Sequence, residues 1–481
     1  MKKILNYSLV LIALAATFSS CKKYLDINEN PNAAEEPPVN GLLSNTTYYT
    51  AYNVFEVGNI TAYYTQYLSS PNTGSDIDIY NPIDPNSTWR GVYDDNLLKY
   101  MYGVYNIMTD LHDMKTLAAA KNLVAYAGVS DILMALHLNM ASNIWGDIPY
   151  AEAFMGVANL TPVFDNQQDV FDTAIQLLDA GIAELQQPDA AGQLDVSSDF
   201  IHAGSAGAWI KTAHALKARM LNQLSKTPGY SADAVLAELA AAYTANSDDA
   251  QVTAFSVRNP WAQVAEDNAN LNLDGWLSSY FIDAANSTTY GVFDPRLPLI
   301  TDTTAFGDYR GTPNGKGRTG TGTENKECYL SVNGWYSGTN SPLQIITYTE
   351  CAFIKAEAAF RKGDKNAAYE AYLTGITSNM QKMGVDGAAM DAYITNPAVA
   401  VSADNLTLQL ILKEKYVGCF LSPVTWDDMR RFDYNYKDIT LPQGAVLSDF
   451  IRRTSYPSSE TSANGANAPT IQLSDHLWWD E

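Results

Sequence analysis

Cys21 is the residue whose surroundings most clearly indicate a chemical modification. Two lysines, an apolar run over residues 9–18 and two serines precede it, which is the order of regions in a secretory signal. The apolar run is too short to span a bilayer as a helix, which needs about 20 residues. Residues 18–21 (FSSC) are similar to a relaxed bacterial lipobox, so we expect cleavage before Cys21 and acylation of its thiol. An ordinary signal peptide with an incidental cysteine is the alternative.

Aromatic residues in loop-like stretches are the candidate ligand-binding groups. An aromatic ring can stack on the apolar face of a sugar ring or on a peptide side chain, while neighbouring polar side chains bind hydroxyl or amide groups. The candidates, with their polar neighbours, are Tyr80, Trp276, Tyr309, Arg310, Asn333, Trp335 and Tyr336. The chain has 30 tyrosines, so some of these placements are expected by chance, and a packing role stays open for each.

Other catalytic or metal-binding patterns are incomplete. Asp76, Asp78 and Asp84 could supply oxygen ligands to a hard cation, but the stretch lacks the glycine and the terminal glutamate of an EF-hand loop. The five histidines form no HExxH pattern, and Gly315-Lys316 lacks the rest of a phosphate-binding loop. We therefore predict neither a metal site nor a cofactor. A pair of catalytic carboxylates, as in a glycoside hydrolase, is not excluded by the sequence, because the fold sets the distance between them.

Charge and cysteine content narrow the functional classes. The formal net charge of −23 repels phosphate backbones, so we expect no nucleic-acid partner. Besides Cys21 the chain contains Cys328, Cys351 and Cys419. Two of these lie in helix-like segments, where we expect buried free thiols. The fold must therefore be stabilised by packing.

Helical periodicity dominates the segments that must position these groups. We predict helices over residues 42–68, 88–114, 116–142, 165–187, 203–226, 232–245, 345–362, 365–383 and 405–432. Between 248 and 342 the helical pattern survives only near 271–285. Within 356–376 one helix ends at Gly363 and another begins at once, with small residues on the facing side, as in a tetratricopeptide (TPR) unit. The predicted fold is mostly α, a TPR-like helix-pair scaffold with an inserted irregular, loop-rich subdomain.

The predicted organisation has six parts. They are a signal peptide (1–20), a lipidated N-terminal arm (21–40), a first part of the helical scaffold (41–247), the irregular ligand-binding subdomain (248–342), a second part of the scaffold (343–435) and an irregular C-terminal segment (436–481). Four charged residues in predicted scaffold helices, Glu350, Glu357, Arg430 and Arg431, are expected to pair between packed helices. Four tryptophans are expected to be packing anchors: Trp145, Trp426, Trp478 and Trp479.

Seven motifs, in order, resemble those of the SusD/RagB family of nutrient-binding outer-membrane lipoproteins. They are the lipobox cysteine with YLDINENPN (24–32), WGDIPYAEA (145–153), FDPRLP (293–298), TYTECAFIKAEAAFRKGD (347–364), LILKEKYVGCFLSPVTWDDMRRFDY (410–434), IRRTSYPSSETSAN (451–464) and LWWD (477–480). The resemblance covers nearly the whole mature chain. The WGDIPY and FDPRLP forms favour the SusD-like branch.

The resemblance implies a function that the residues alone do not. Members of the family sit on the cell surface over a SusC-like TonB-dependent transporter and capture oligosaccharides or peptides for import, without catalysis. In such proteins the irregular subdomain builds most of the ligand site. Surface-exported lipoproteins of this kind often have acidic residues just after the cysteine, whereas this chain has Lys22 and Lys23. The resemblance therefore implies an outer-membrane anchor, but the lysines do not support exposure on the cell surface. The alternative is a surface glycan hydrolase whose acid and base lie within 248–342.

Overall fold

The computed structural model describes residues 37–81, 103–269, 275–319 and 325–481. The first helices are α1 (Val39–Tyr64), α2 (Val104–Lys121), α3 (Val124–Trp145), α4 (Gln167–Leu185), α5 (Ala206–Gln223), α6 (Ala232–Ala241), α7 (Pro260–Ala269) and α8 (Ser279–Ala285). The remaining helices are α9 (Tyr348–Lys362), α10 (Lys365–Met383), α11 (Gly387–Ile394), α12 (Leu408–Gly418), α13 (Val424–Arg431) and α14 (Ser458–Ala463). The short strands are β1 (Leu68–Ser69), β2 (Ala250–Val252), β3 (Trp276–Leu277) and β4 (Leu343–Ile346). Cys21 lies outside the described residues.

The helices stack in a continuous series of neighbours. Helices α2 to α6 each pack on the next one along the chain, α6 packs on α9, and α9 packs on α10 and α12. Small residues allow the close approach: a Cβ atom on Gly128 would lie 3.0 Å from the Gly181 carbonyl oxygen. This arrangement confirms the predicted fold class, a mostly helical, TPR-like scaffold.

The ends of the paired helices follow from individual residues. Helix α9 ends at Gly363, whose φ of 90° lies in the left-handed region that glycine adopts without strain. Asp364 then caps α10, because its carboxylate accepts a hydrogen bond from the Ala367 amide at 3.1 Å. The predicted TPR-like turn within 356–376 therefore forms where the sequence places it.

Helix α3 is the central apolar helix of the described chain. It is the one helix in the described ranges that is long and apolar enough to cross a membrane. However, 94% of its most apolar stretch is buried inside the protein, against α2 and α4. Its composition is therefore accounted for by the position of the helix in the core.

Several predicted boundaries were wrong. The helix predicted over 42–68 ends at Tyr64, and Leu68 belongs to β1. Helix α2 continues through residue 115 and stops only at Asn122, whose φ is 56°, because no glycine or proline interrupts the chain earlier. The predicted helix over 405–432 is two helices, separated at Leu421, with a φ of 64°, and Pro423. Ile345 belongs to β4 rather than to a helix, because β4 pairs antiparallel with β2.

The irregular segment is joined to the scaffold by short antiparallel pairs. Strand β3 pairs with β1, with Trp276 opposite Ser69, and β4 pairs with β2. Helix α7 was not predicted; its first turn is capped by the Asn259 side chain, which accepts a hydrogen bond from the Trp261 amide at 2.7 Å. One large hydrophobic core includes side chains from both the scaffold helices and the irregular segment.

The predicted pairing of charges between packed helices is confirmed for both Glu357 and Glu350. Arg431, at the end of α13, contacts Glu357 on α9 at 2.5 Å. The partner of Glu350 is Arg219 on α5, at 2.6 Å, which the sequence did not indicate. Arg430 is paired within α13, with Asp427 at 2.5 Å, and its guanidinium carbon lies 3.7 Å from the Trp426 ring centroid.

The predicted packing anchors and thiols lie in the interior. Trp145, Trp426 and Trp479 are fully buried, and Trp478 is half-buried. The three cysteines of the described chain are buried free thiols, as predicted for the two in helix-like segments. Burial raises the pKa of the Cys328 thiol to about 11, so this thiol stays protonated and unreactive in the folded protein.

Candidate ligand-binding site

Helix α8 is the element that positions the candidate site. Strand β3 leads into it, and the Ser278 amide donates to the Tyr67 carbonyl at 2.9 Å. The Ser278 hydroxyl caps the helix by accepting from the Tyr280 amide at 3.2 Å. Gly311 lets the neighbouring loop pass close by, since a Cβ atom there would lie 2.4 Å from the Ser278 carbonyl oxygen. Phe281 stacks on Phe420 in the core at 4.5 Å, which fixes the opposite face of α8.

A polar cavity of about 240 Å³ opens beside α8. We call it the α8 pocket; it is lined by polar residues that include Gln66, Tyr280, Asp283, Thr289, Asp438 and Gln443. Asp283 is half-buried, and burial raises the pKa of its carboxyl, although a hydrogen bond from the Asn286 amide group at 3.3 Å lowers it. Burial likewise raises the pKa of the Tyr280 hydroxyl well above its usual range, and nearby Tyr290 and Asp438 add to this. The pocket is thus a place where hydroxyl and carboxylate groups meet a small volume of solvent.

Exposed aromatic rings lie in the loops that follow α8 in the chain. We call this group the aromatic face; it consists of Phe293, Phe306 and Tyr309, together with Arg310. Phe293 and Phe306 are 43% and 57% exposed, and the Tyr309 ring centroid lies 5.8 Å from that of Phe293. The Arg310 guanidinium lies 4.6 Å from the Phe306 ring centroid and 2.6 Å from the Asp308 carboxylate.

Asn286 connects the α8 pocket with the aromatic face. Its side-chain amide donates to the Asp283 carboxylate at 3.3 Å and to the Tyr309 carbonyl at 3.1 Å. Exposed rings can stack on a sugar ring, and the adjacent carboxylate, guanidinium and hydroxyl groups can bind hydroxyls. The arrangement is therefore suited to binding a polar ligand with at least one flat apolar face.

Three of the predicted ligand contacts are buried in packing. Tyr80 lies against Tyr64 with 5.9 Å between ring centroids. Trp276 lies within β3, with the Arg318 guanidinium 5.8 Å from its ring centroid. Tyr336 packs on Phe420 at 5.2 Å. All three side chains are at most 5% exposed, so in this conformation none of these rings offers a face to a ligand.

The other predicted residues are accessible but fall into two places. Tyr309 and Arg310 belong to the aromatic face. Trp335 is half-buried, and its indole Nε1 donates to the Lys382 carbonyl at the end of α10, at 3.1 Å. Asn333 is exposed two positions away from it. The sequence therefore located part of the aromatic face and a second accessible ring near α10.

Residues that the sequence did not single out complete the site. Phe293 belongs to the FDPRLP motif, and its exposure could not be read from the motif. Asp283 and Asp438 are far apart in the chain, so only the fold brings both to the α8 pocket. In the sequence, this region was indicated only by the loop-like composition around the aromatic residue Tyr309.

Of the three aspartates considered for a cation, two are described: Asp76 accepts a hydrogen bond from the Asn81 side chain at 2.9 Å, and Asp78 is hydrogen-bonded in the interior. Asp78 is fully buried and accepts hydrogen bonds from the Gly315 amide and the Asn314 side chain, each at 2.5 Å. Burial raises its pKa to about 6, against the effect of these hydrogen bonds. Asp84 lies outside the described residues. Within the described ranges no group of three or more His, Cys, Asp or Glu residues is arranged to hold a metal ion.

A second aromatic depression lies on the scaffold. This groove, of about 510 Å³, is lined by Tyr48, Tyr49, Phe200 and Phe255, and the Tyr48 ring lies 5.3 Å from that of Phe200. It lies beside the first turns of α1 rather than beside α8. Because this groove is aromatic but lies outside the candidate site, a substitution in it can serve as a control for substitutions in the aromatic face.

Solved structures with the same fold are numerous. A SusD/RagB family protein from Bacteroides thetaiotaomicron has a TM-score of 0.75 at 21% identity, covering 92% of this chain and 99% of that one. A chitin-binding SusD homolog from Flavobacterium johnsoniae has a TM-score of 0.74 at 20% identity, covering 92% and 97%. A SusD homolog from Bacteroides ovatus has a TM-score of 0.74 at 20% identity, covering 92% and 99%. At these identities the likeness shows the fold.

Sequence comparison assigns the family. No curated protein matches the sequence significantly. The family model SusD-like, described as "Starch-binding associating with outer membrane", matches residues 31–457. Because this match covers most of the 481 residues, the chain belongs to the SusD-like family.

Proposed function

We propose that this protein is a nutrient-capture lipoprotein of the outer membrane that binds a glycan and passes it, chemically unchanged, to a SusC-like TonB-dependent transporter. The observation that carries the proposal is the aromatic face beside the α8 pocket, on a chain of the SusD-like family. The family description names starch binding, and one structural relative is a chitin-binding protein. These support a glycan over a peptide, the other ligand implied by the resemblance.

The aromatic face is suited to the first contact with a glycan. A stacked pair of aromatic rings contributes about 1 kcal/mol beyond area burial. A contact of that size between a ring and a sugar corresponds to roughly fivefold in Kd. Arg310 and Asp308 can bind hydroxyls at the edge of a stacked sugar. Several such contacts give a reversible interaction, which suits a protein that must release its ligand to a transporter.

A binding experiment tests the location. The protein lacking residues 1–21 is titrated calorimetrically with starch- and chitin-derived oligosaccharides. The combined substitution of Phe293, Phe306 and Tyr309 by Ala is expected to weaken binding at least tenfold. Phe200→Ala, which removes a ring of the scaffold groove, is the matched control and should leave Kd unchanged. Unaltered binding by the triple variant, or an equal loss in the control, would reject the aromatic face as the site.

Fractionation tests the anchor. We expect the full-length precursor to be found in the outer-membrane fraction and to co-purify with a large barrel protein after mild detergent extraction. Cys21→Ala should release the protein from the membrane fraction, because the acyl chains can no longer be attached. Protease treatment of intact cells then reports whether the anchored protein faces the exterior. Unchanged fractionation of the variant would contradict lipid anchoring.

A surface glycan hydrolase is the second candidate, favoured by one observation. Asp283, from the irregular segment, lines a polar pocket, and Asp438 supplies another carboxylate, although from outside residues 248–342. Two carboxylates flanking a sugar are the minimum for glycoside hydrolysis. We expect no release of new reducing ends on prolonged incubation with bound oligosaccharides. Turnover that disappears in Asp283→Asn would support hydrolysis instead.

A further inference from the structure

We propose that the α8 pocket binds a pyranose unit bearing a free amino group, so that the captured glycan is a cationic amino-sugar oligosaccharide. The inference rests on the proposed function, because it specifies which glycan the site selects. It concerns the pocket and its carboxylates, whereas the aromatic face would bind sugar rings of many kinds.

Several acidic residues of the irregular segment have a cationic partner. Asp294 is paired with Arg296 at 2.6 Å, and Asp308 with Arg310 at 2.6 Å. In the described chain Asp283 forms no ion pair. Its carboxyl is half-buried, and a half-buried carboxylate is stabilised by a cation that it can reach. A ligand ammonium group would supply that cation.

Asp438 adds a second negative charge to the same cavity. None of the residues described as lining the pocket is a lysine or an arginine. The nearest basic neighbour in the chain, Lys437, donates to the Thr289 carbonyl at 2.6 Å and lies 5.4 Å from the Tyr290 ring centroid. It is thus held by a backbone oxygen and a ring. The pocket therefore favours a cationic over an anionic ligand, in line with the acidic charge of the whole chain.

Tyr280 provides an independent indication of a ligand. Its side chain is 9% exposed, and its ring packs on Tyr416 with 5.6 Å between centroids. The residue lines the pocket. Within the described ranges its hydroxyl is bonded to no protein group and faces the solvent of the pocket. A ligand hydroxyl that enters the pocket would replace this solvent as the partner of the tyrosine.

Size and lining favour a sugar over a lysine side chain. The cavity of about 240 Å³ equals roughly eight water molecules at about 30 Å³ each, which suits one monosaccharide unit. Its rim presents amides and hydroxyls from Gln66, Thr289, Thr440 and Gln443. The lining also includes Pro313, Leu441 and Pro442. A pyranose, which has hydroxyls in several directions and apolar ring faces, can use both kinds of group.

Three β-1,4-linked tetrasaccharides that differ only at carbon 2 test the inference: those of glucosamine, N-acetylglucosamine and glucose. A lysine-containing tetrapeptide is titrated in parallel. At pH 7 and low salt, we expect the glucosamine tetramer to bind about tenfold more tightly than the other two sugars, and this preference should shrink at high salt. Asp283→Asn and Asp438→Asn should each weaken binding of the glucosamine tetramer about three- to tenfold and leave the others nearly unchanged.

Two further variants serve as controls. Tyr280→Phe should weaken all three sugars about threefold, because it removes one hydrogen bond to a hydroxyl. Asp172→Asn removes one charge from an exposed position on α4 that does not line the pocket, and it should change no affinity. If Asp283→Asn fails to fold, exposed Asp438→Asn carries the test.

The outcomes separate this inference from the proposed function. Equal affinity for the three sugars, or indifference to both aspartate variants, overturns the amino-sugar inference. If the aromatic-face variants still weaken binding in that case, glycan capture stands. Absence of binding by every oligosaccharide, including the starch- and chitin-derived ones, overturns both. Tighter binding of the lysine peptide, lost in the aspartate variants, overturns the sugar assignment and identifies a peptide amine as the ligand.

Discussion

Replacing Glu357 by Gln should destabilise the protein strongly, because the side chain forms the centre of a buried ion cluster. Glu357 is fully buried on α9. Arg431 contacts it at 2.5 Å and Arg361 at 2.8 Å, and the Asn222 amide group donates to it at 3.0 Å. Glutamine keeps the size of the side chain but removes the charge that these donors share. The substitution therefore isolates the electrostatic contribution.

The magnitude follows from the pKa of the Glu357 carboxyl. Burial alone would raise this pKa, but Arg431, with Arg361 and Lys415, lowers it to about 2. An unfolded glutamate has a pKa of about 4.3. The difference of roughly 2.3 pKa units corresponds to about 3 kcal/mol of stability at pH 7. Breaking a buried ion pair by removing one partner costs about 3–5 kcal/mol, so the two values agree.

The pH dependence gives the sharper test. Because the folded-state pKa lies below the unfolded one, the contribution is present above about pH 4.3 and is lost as the pH falls through about 2. The difference in unfolding free energy between the wild type and Glu357→Gln should thus fall from about 3 kcal/mol at pH 7 to about 1.4 kcal/mol at pH 3.

Urea denaturation followed by circular dichroism measures this difference. The matched control is Glu370→Gln, which neutralises an exposed glutamate of the adjacent helix α10 and should change stability by less than about 0.5 kcal/mol. A loss below about 1 kcal/mol at pH 7, or a loss of the same size at both pH values, would refute the assigned role of the buried pair.

Two further predictions concern packing and the thiols. Gly375→Ala on α10 should lower stability by about 1–3 kcal/mol, because the added Cβ would lie 2.7 Å from the buried ring of Phe353. Thermal denaturation measures the effect, with Gly387→Ala as the control, because no atom lies within 4 Å of its Cβ. Equal melting temperatures of the two variants would contradict close helix packing. The three cysteines of the form lacking residues 1–21 should react slowly with a thiol reagent at pH 8, because all three are buried in the native protein. All three should be labelled once urea unfolds the chain. Fast labelling of the native protein would contradict that burial.

Local patterns in the sequence predicted the helical scaffold well. Apolar periodicity located most of the long helices, and the small residues around Gly363 predicted the turn between α9 and α10. Charge pairing of Glu357 and Arg431 between packed helices was also predicted, although the individual partner of each residue was not. Helix ends were less accurate: α2 continued to Asn122 because propensity alone does not stop a helix where no breaker occurs.

The candidate site was predicted only in part, since exposure is a property of the whole fold. Trp276 and Tyr309 have similar loop-like contexts in the sequence. Pairing of β3 with β1 buries Trp276, whereas Tyr309 stays accessible beside Phe293. A further difference is the partner of Glu350: Arg219 lies on a distant helix, and no local spacing connects the two.

The sequence by itself determined the family, the helical class, the acidic charge and the expected anchor at Cys21, because these depend on composition, periodicity and short motifs. Only the tertiary structure decided which aromatic rings remain exposed and which carboxylates share a cavity. Asp283 and Asp438 lie on separate segments, and their common environment arises from packing of α8 against the C-terminal part of the chain. Whether a residue is buried, and which residues lie beside it, depends on segments that are far apart in the sequence. The fold therefore sets which groups meet at the site.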